Sequence, residues 1–249
     1  MDLQLRGLRA VVTGASKGIG AAIAETLAAE GVDLVLVARS AVDGAALAER
    51  YGVEVRTVAA DLSTADGREE LLRAVDSVDI LVNNAGAIPP GSLQDVGEAE
   101  WREAWDLKVY GYVFLTQSLY PQLAKSVHGV VLNIIGVAAD DLPSGYVTGA
   151  VGNSALVAFT KTLAKSAQRD GLRVVGINPG PTATDRHERL QRAAAAERLG
   201  SADRWAELDS SLPFGRACSP QEIADSAAFL VSPRSSYTSG TVLTIDGGV

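Results

Sequence analysis

Thr13-Gly14-Ala15-Ser16-Lys17-Gly18-Ile19-Gly20 is the stretch on which the fold turns. It follows an apolar run of strand length, Arg9–Thr13, and opens a helical stretch, Gly20–Glu30. Glycines at such a junction permit a tight turn and let backbone N–H groups approach a pyrophosphate at a helix N-terminus. The spacing is Gly-x3-Gly-x-Gly, not the commoner Gly-x-Gly-x2-Gly. A plain glycine turn is the alternative reading. Placed directly after a strand and inside a βαβ unit, the loop is a strong dinucleotide signal.

The same alternation runs outward along the chain. Further strands are expected at Asp33–Val37, Val53–Ala59, Ile80–Asn83, Val130–Ile134, Arg173–Asn178 and Val242–Ile245. Helices are expected at Ala41–Tyr51, Gly67–Val75, Glu98–Ser118, Val151–Arg169 and Pro220–Val231. Several strands are almost wholly apolar, as parallel strands covered on both faces are. Strand alternating with helix predicts an open, doubly wound α/β sheet. One domain, 1–249, is expected. Asp185–Ser211, polar and rich in Ala, Arg and Glu, interrupts the alternation and reads as a helical lid or a solvated excursion.

Composition excludes several classes of function. The chain has 249 residues, 47% of them hydrophobic, enough for a sizeable core without staples. One cysteine and two histidines leave no internal disulfide and no cysteine- or histidine-rich metal site, so no metal and a reducing cytoplasm are expected. A net charge of −8 argues against nucleic acid. No run approaches the roughly 18–20 apolar residues of a membrane span, and Met1–Gly14 lacks the basic start of a signal peptide.

The second strand ends Ala38-Arg39-Ser40, with no carboxylate to take a ribose 2′-OH. Arg39 and Lys17 instead offer two cations to a 2′-phosphate, so NADP(H) is favoured over NAD(H). Arg39 as an ordinary solvated charge is the alternative.

Taken with Asp61-Leu62, Asn83-Asn84-Ala85-Gly86, Asn178-Pro179-Gly180-Pro181-Thr182-Ala183-Thr184 and the C-terminal Ile245-Asp246-Gly247-Gly248, the glycine loop resembles the short-chain dehydrogenase/reductase family. Pro213-Phe214-Gly215-Arg216 and Pro220-Gln221-Glu222-Ile223 match as well, so the resemblance spans essentially the whole chain. It implies a single Rossmann-type doubly wound sheet of seven parallel strands with flanking helices. It implies a homodimer or homotetramer built on the helices near Glu98–Ser118 and Val151–Arg169, and a small-molecule substrate. The cofactor-binding positions it implies are Gly14, Ser16, Lys17, Gly18, Ile19 and Gly20, then Arg39, Ser40, Asp61 and Leu62. Asn83, Ala85, Gly86, Pro179, Gly180, Thr182 and Thr184 complete them, with Thr182 and Thr184 at the nicotinamide end.

The resemblance fails at the catalytic positions. The family uses a tyrosine as proton donor, a lysine four residues later that holds the nicotinamide ribose and lowers the tyrosine's pKa, a serine after the fifth strand, and an asparagine on the preceding long helix. In register these fall on Gly149, Asn153, Gly136 and Lys108. No slip rescues the pattern. The residues four after Tyr51, Tyr110, Tyr112, Tyr120, Tyr146 and Tyr237 are Val55, Phe114, Thr116, Ala124, Ala150 and Thr241. Gly136 and Gly149 are therefore expected to leave space for a larger substrate, a water or groups from elsewhere.

Replacement groups are Tyr146 as proton donor, Lys108 as anion-binding group or donor, and Asn153 as a ribose ligand. Each has a bland alternative: a packed tyrosine, an exposed lysine, an uncharged amide. Asp140 and Asp141 at the expected pocket mouth offer a carboxylate pair or a solvated loop. His187 has an acid–base side chain but reads as a surface residue. Three functions remain: an NADP(H)-dependent oxidoreductase acting on a small carbonyl or alcohol with a non-standard proton donor, a non-redox enzyme such as a lyase, isomerase or hydrolase, and a cofactor-binding protein without turnover.

Overall fold

Seven short strands form one parallel sheet in the computed structural model, which describes residues 1–248. They are β1 (Arg9–Thr13), β2 (Asp33–Ala38), β3 (Val55–Ala59), β4 (Ile80–Asn83), β5 (Val130–Ile134), β6 (Arg173–Pro179) and β7 (Val242–Ile245). Their order is β3-β2-β1-β4-β5-β6-β7, every neighbouring pair parallel. This is the expected Rossmann-type doubly wound α/β sheet.

The helices are α1 (Gly18–Ala29), α2 (Gly44–Tyr51), α3 (Ala65–Arg73), α4 (Glu98–Trp105), α5 (Gly111–Leu123), α6 (Ala138–Asp141), α7 (Val147–Ala167), α8 (Asp185–Leu199), α9 (Trp205–Asp209) and α10 (Pro220–Val231). One core packs α1 and α10 on one face of the sheet through Ile23, Leu27, Leu36, Ile80 and Ile223. The other packs α3, α5 and α7 on the opposite face through Leu71, Leu81, Leu115 and Val174. Burial of each such side chain contributes about 1.5–3 kcal/mol. Cover on both faces explains why β1, β4, β5 and β6 read as nearly continuous apolar runs, whereas the edge strands β3 and β7 are largely exposed. The order reverses between β1 and β4, which opens a crevice at the carboxyl ends of the strands.

Two differences from the sequence expectation bear on the crevice. The helix expected over Glu98–Ser118 is broken by a π-helical turn, Asp106–Tyr110, between α4 and α5. The extra residue in that turn brings both Lys108 and Val109 inward. Helix α7 begins at Val147 rather than Val151, and Tyr146 occupies its N-cap position. Gly152 allows this early start to pack closely, since a Cβ there would meet Trp105 Nε1 and Val109 Cγ2 at 3.2 Å. The segment 185–211 folds as α8, a 3-10 turn over Ala202–Arg204, and α9.

Candidate active site

A cavity of about 740 Å³ occupies the crevice. One half is built from the glycine loop. Gly14 holds a left-handed φ of +66°, and a Cβ there would stand 2.9 Å from Ala85 Cα, so only glycine lets this loop lie against the end of β4. Gly18 is similarly close to Thr184 Cγ2, at 3.1 Å. Ser16, Lys17 and Ile19 line this half with Arg39, Ser40 and Leu62. Lys17 Nζ meets Asp185 Oδ2 at 3.3 Å, linking the glycine loop to α8. Arg39 makes no ion pair among the described residues.

Three residues expected at the cofactor do not line the cavity. Asn83 is buried, and its amide donates to Asn133 Oδ1 at 2.9 Å and Thr116 Oγ1 at 3.0 Å. It ties β4 to β5 and α5 from inside the sheet. Gly20 is a packing position: a Cβ there would strike the Gly14 carbonyl and the Asn84 amide. Asp61 turns back on its own loop and accepts from the Ser63 hydroxyl at 2.7 Å and the Ser63 N–H at 3.0 Å. Those bonds, with a smaller contribution from Arg39, hold its carboxyl below its ordinary value against burial. Asn84, not among the residues expected at the cofactor, does line the cavity and ties β4 to β1, donating to Thr13 O at 3.0 Å and Gly14 O at 3.2 Å.

The other half gathers Lys108, Tyr146 and Asn153 with Gly86 and Gly136, while Pro179, Gly180, Thr182 and Thr184 line the β6 side. Lys108 is not an exposed lysine. It is 8% exposed, and its Nζ donates to Ile134 O at 2.7 Å and Tyr112 OH at 3.0 Å. Burial, reinforced by the charge of Arg186, lowers its pKa from 10.5 to about 7. Tyr146 is fixed by backbone: Val147 N donates to Gly91 O at 3.2 Å, and Gly91 N donates to Gly145 O at 2.8 Å. Burial raises its pKa, and Arg186 only partly offsets that. The phenol therefore keeps its proton at neutral pH and is a donor, not a base. Asn153 Nδ2 donates to Gly136 O at 3.4 Å, and its buried Oδ1 has no partner among the described residues.

The space expected at the glycines is filled. A Cβ on Gly149 would fall on the ring of Tyr146, at Cε1 and Cζ. A Cβ on Gly136, which sits at φ +145°, would stand 2.8 Å from Asn153 Nδ2. A Cβ on Gly86 would stand 2.7 Å from Lys108 Cδ. Each glycine is thus abutted by a larger side chain arriving from another position.

The carboxylate pair does not reach the site. Helix α6 turns Asp140 away, and its Oδ2 accepts from Asn178 Nδ2 at 2.8 Å and Thr244 Oγ1 at 3.3 Å. Asp141 is exposed. His187 lies on the cavity wall rather than the outer surface, its Nε2 2.9 Å from Asp209 Oδ1, which bridges α8 to α9. Arg186 is the residue the sequence reading missed. It extends from the first turn of α8 and donates to Ile88 O at 2.7 Å and, at 3.4 Å, to Tyr146 OH.

Among the described residues there is no cluster of metal-ligating side chains, and no helix is long and apolar enough to cross a membrane. A family model described as enoyl-(acyl carrier protein) reductase matches residues 14–249. An uncharacterized oxidoreductase of Bacillus subtilis is 34% identical over 245 residues, covering 96% of this chain and 97% of its own length. A 3-oxoacyl-(acyl-carrier-protein) reductase of Aquifex aeolicus is 31% identical over the whole of both chains. Among solved structures, L-sorbose reductase from Gluconobacter frateurii, complexed with NADPH and L-sorbose, superposes with a TM-score of 0.92 at 33% identity, covering 100% of this chain and 98% of that one. A 3-ketoacyl-(acyl-carrier-protein) reductase from Brucella melitensis, complexed with NADH, gives 0.83 at 29% identity, covering 98% and 99%. The fold, the glycine loop and these likenesses agree: the chain belongs to the short-chain dehydrogenase/reductase family of oxidoreductases.

Proposed function

We propose that this protein is an NADP(H)-dependent reductase of a small carbonyl compound in which Tyr146 is the proton donor. The observation that carries the reading is the Tyr146 ring standing over Gly149, so that a phenol lines the cavity beside the helix turn from which the family's tyrosine would project. The cradle formed by Gly14, Gly18 and the close-packed Gly20 fits a dinucleotide pyrophosphate. Arg39, unpaired and exposed beside Ser40, suits a 2′-phosphate. The unpartnered Oδ1 of Asn153 suits a ribose hydroxyl.

Bound NADPH supplies a hydride. The protein supplies the rest. Tyr146, held protonated by burial, donates to the carbonyl oxygen as charge develops there. Lys108 places a titrating ammonium at the same end of the cavity, where it stabilises that charge. Helix α8 and α9 form the lid, braced by His187–Asp209 and by Lys17–Asp185. The aromatic face of the π-helical turn and α5, where Tyr110 and Phe114 stack at 5.8 Å and both are exposed, supports a homodimer or homotetramer. The single half-buried Cys218 is in keeping with a cytoplasmic protein.

Fluorescence titration with NADPH and NADH tests the cofactor. NADPH should bind more tightly, and Arg39→Glu should weaken NADPH about tenfold or more, as loss of a charge-assisted bond does, while sparing NADH. Absence of NADPH binding would sink the proposal. Tyr146→Phe should abolish carbonyl-dependent NADPH oxidation but leave NADPH binding intact. Full turnover in that variant would remove Tyr146 from the mechanism.

A further inference from the structure

We propose that the substrate is a 2-oxo acid, its carboxylate bound by Arg186 while its carbonyl oxygen faces the Tyr146 hydroxyl. This substrate class rests on the reductase reading above. The two donors stand side by side, Arg186 Nη2 lying 3.4 Å from Tyr146 OH. A 2-oxo acid presents a carbonyl oxygen and a carboxylate oxygen on adjacent carbons, so one small molecule bridges both groups. A lone ketone engages Tyr146 and leaves Arg186 unmatched.

The charge around Arg186 points the same way. Its hydrogen bonds go to a carbonyl and a phenol, both neutral. Among the described residues it has no ion pair. Its sequence neighbour Asp185 is taken by Lys17. Glu100 and Glu103 lie on the wall of a second cavity, of about 450 Å³, which Arg186 shares with Arg189. Lys108, the other cation at this end, also bonds only neutral groups, Ile134 O and Tyr112 OH. A guanidinium and an amine that titrates near neutral pH, both with neutral partners, thus meet at one end of the cavity in a chain of net charge −8. Burial is the main cause of the lowered Lys108 pKa, and the nearby charge of Arg186 lowers it further. A guanidinium carries five N–H donors in a fork that suits a carboxylate, and a carboxylate placed there offsets both charges.

The reaction balances without another reagent. The carbonyl carbon gains a hydride from NADPH, which leaves as NADP⁺. The carbonyl oxygen gains the Tyr146 proton. The C=O π bond is replaced by new C–H and O–H bonds, the product is a 2-hydroxy acid, and Tyr146 regains its proton from solvent.

The test is calorimetric titration of the NADP⁺-saturated protein with pyruvate, 2-oxobutanoate and phenylpyruvate, each against its primary amide. NADPH oxidation is followed in parallel. At least one acid should bind about tenfold or more tightly than its amide, the expected worth of charge-assisted hydrogen bonds. Arg186→Gln should erase that preference, and Arg186→Lys should restore part of it. Equal binding of acid and amide in every pair, or a preference that survives Arg186→Gln, overturns the assignment. Reduction of a neutral ketone with no binding of any acid overturns this inference and leaves the reductase reading standing. Acid-selective binding without NADPH oxidation by any carbonyl compound overturns the reductase reading, and the substrate role with it.

Discussion

Replacing Lys108 with methionine should stabilise the protein at and below neutral pH. The ammonium is buried and its pKa falls from 10.5 to about 7, mainly through lost solvation and secondly through Arg186. At about 1.4 kcal/mol per pH unit, that gap corresponds to about 5 kcal/mol. Between pH 7 and 10.5 the unfolded chain holds a proton here that the native chain has released. Stability therefore rises with pH across that window, and below it the whole cost is present. Methionine has similar length and no charge. It forfeits the two Nζ hydrogen bonds, at about 1 kcal/mol each. The Ile134 carbonyl keeps a donor, because Tyr112 OH reaches it at 2.9 Å.

The net gain is about 3 kcal/mol at pH 6–7, shrinking to nothing near pH 9. For a chain of this length that amounts to roughly 6–12 °C in Tm at the acid end. Thermal unfolding of cofactor-free wild type and Lys108→Met from pH 6 to 10 measures it. A gain that does not change with pH would mean that packing, not charge, separates the two proteins. Destabilisation throughout would mean that the ammonium is satisfied where it lies. The variant should also lose catalytic rate, since stability recovered at a functional position is commonly exchanged for activity.

Gly149→Tyr, which restores the family's residue type, should unfold at lower temperature than wild type, because the new side chain enters space held by the Tyr146 ring. Adding Tyr146→Gly should recover most of the loss, and a fully stable single variant would mean that Tyr146 does not cover α7. Asn83→Ala should cost about 2–3 kcal/mol in urea unfolding, since it strips the shared donor from buried Asn133 and Thr116. A loss below about 0.5 kcal/mol, the ordinary range for a surface substitution, would show that the sheet does not depend on that bond.

What the sequence made legible was what backbone chemistry dictates. The glycine loop could be read because Gly14 needs its left-handed turn and its contact with Ala85 whatever the side chains around it do. The central strands could be read because cover on both faces leaves them apolar. The site was legible in part. Lys108 was placed near the substrate by register, but its burial depends on a π-helical turn that no apolar period announces. Tyr146 entered as a loop residue, and its closeness to Gly149 follows from α7 beginning at Val147. Asn83 and Asn84 are alike in sequence, yet strand alternation sends one into the sheet and the other to the cavity. Of the two readings of Asp140 and Asp141 the solvated one holds, since both are exposed and four residues of helix direct Asp140 to Asn178. Arg186 went unnamed because its partners, Ile88 and Tyr146, are 98 and 40 residues away in the chain.

Gly136 and Gly149 bear on whether the site is decayed or rebuilt. Side chains lost without compensation leave voids, which cost about 24 cal/mol per Å³ of residual cavity in a packed interior. Here Gly136 and Gly149 are each abutted by a larger group, Asn153 and Tyr146. The substitutions are therefore coupled in pairs, and reverting one partner alone creates an overlap. Packing by itself does not explain the choice of groups. A methionine would fill the path of Lys108 without the desolvation cost, and Tyr112 already satisfies the carbonyl that Lys108 bonds. A buried amine whose hydrogen bonds return less than its burial costs, beside a protonated phenol and a guanidinium with no ion pair among the described residues, is the arrangement the proposed chemistry calls for. On the proposed reading, the proton donor and the cation enter the cavity from the turn before α7, through Tyr146, and from the π-helical turn opposite, through Lys108.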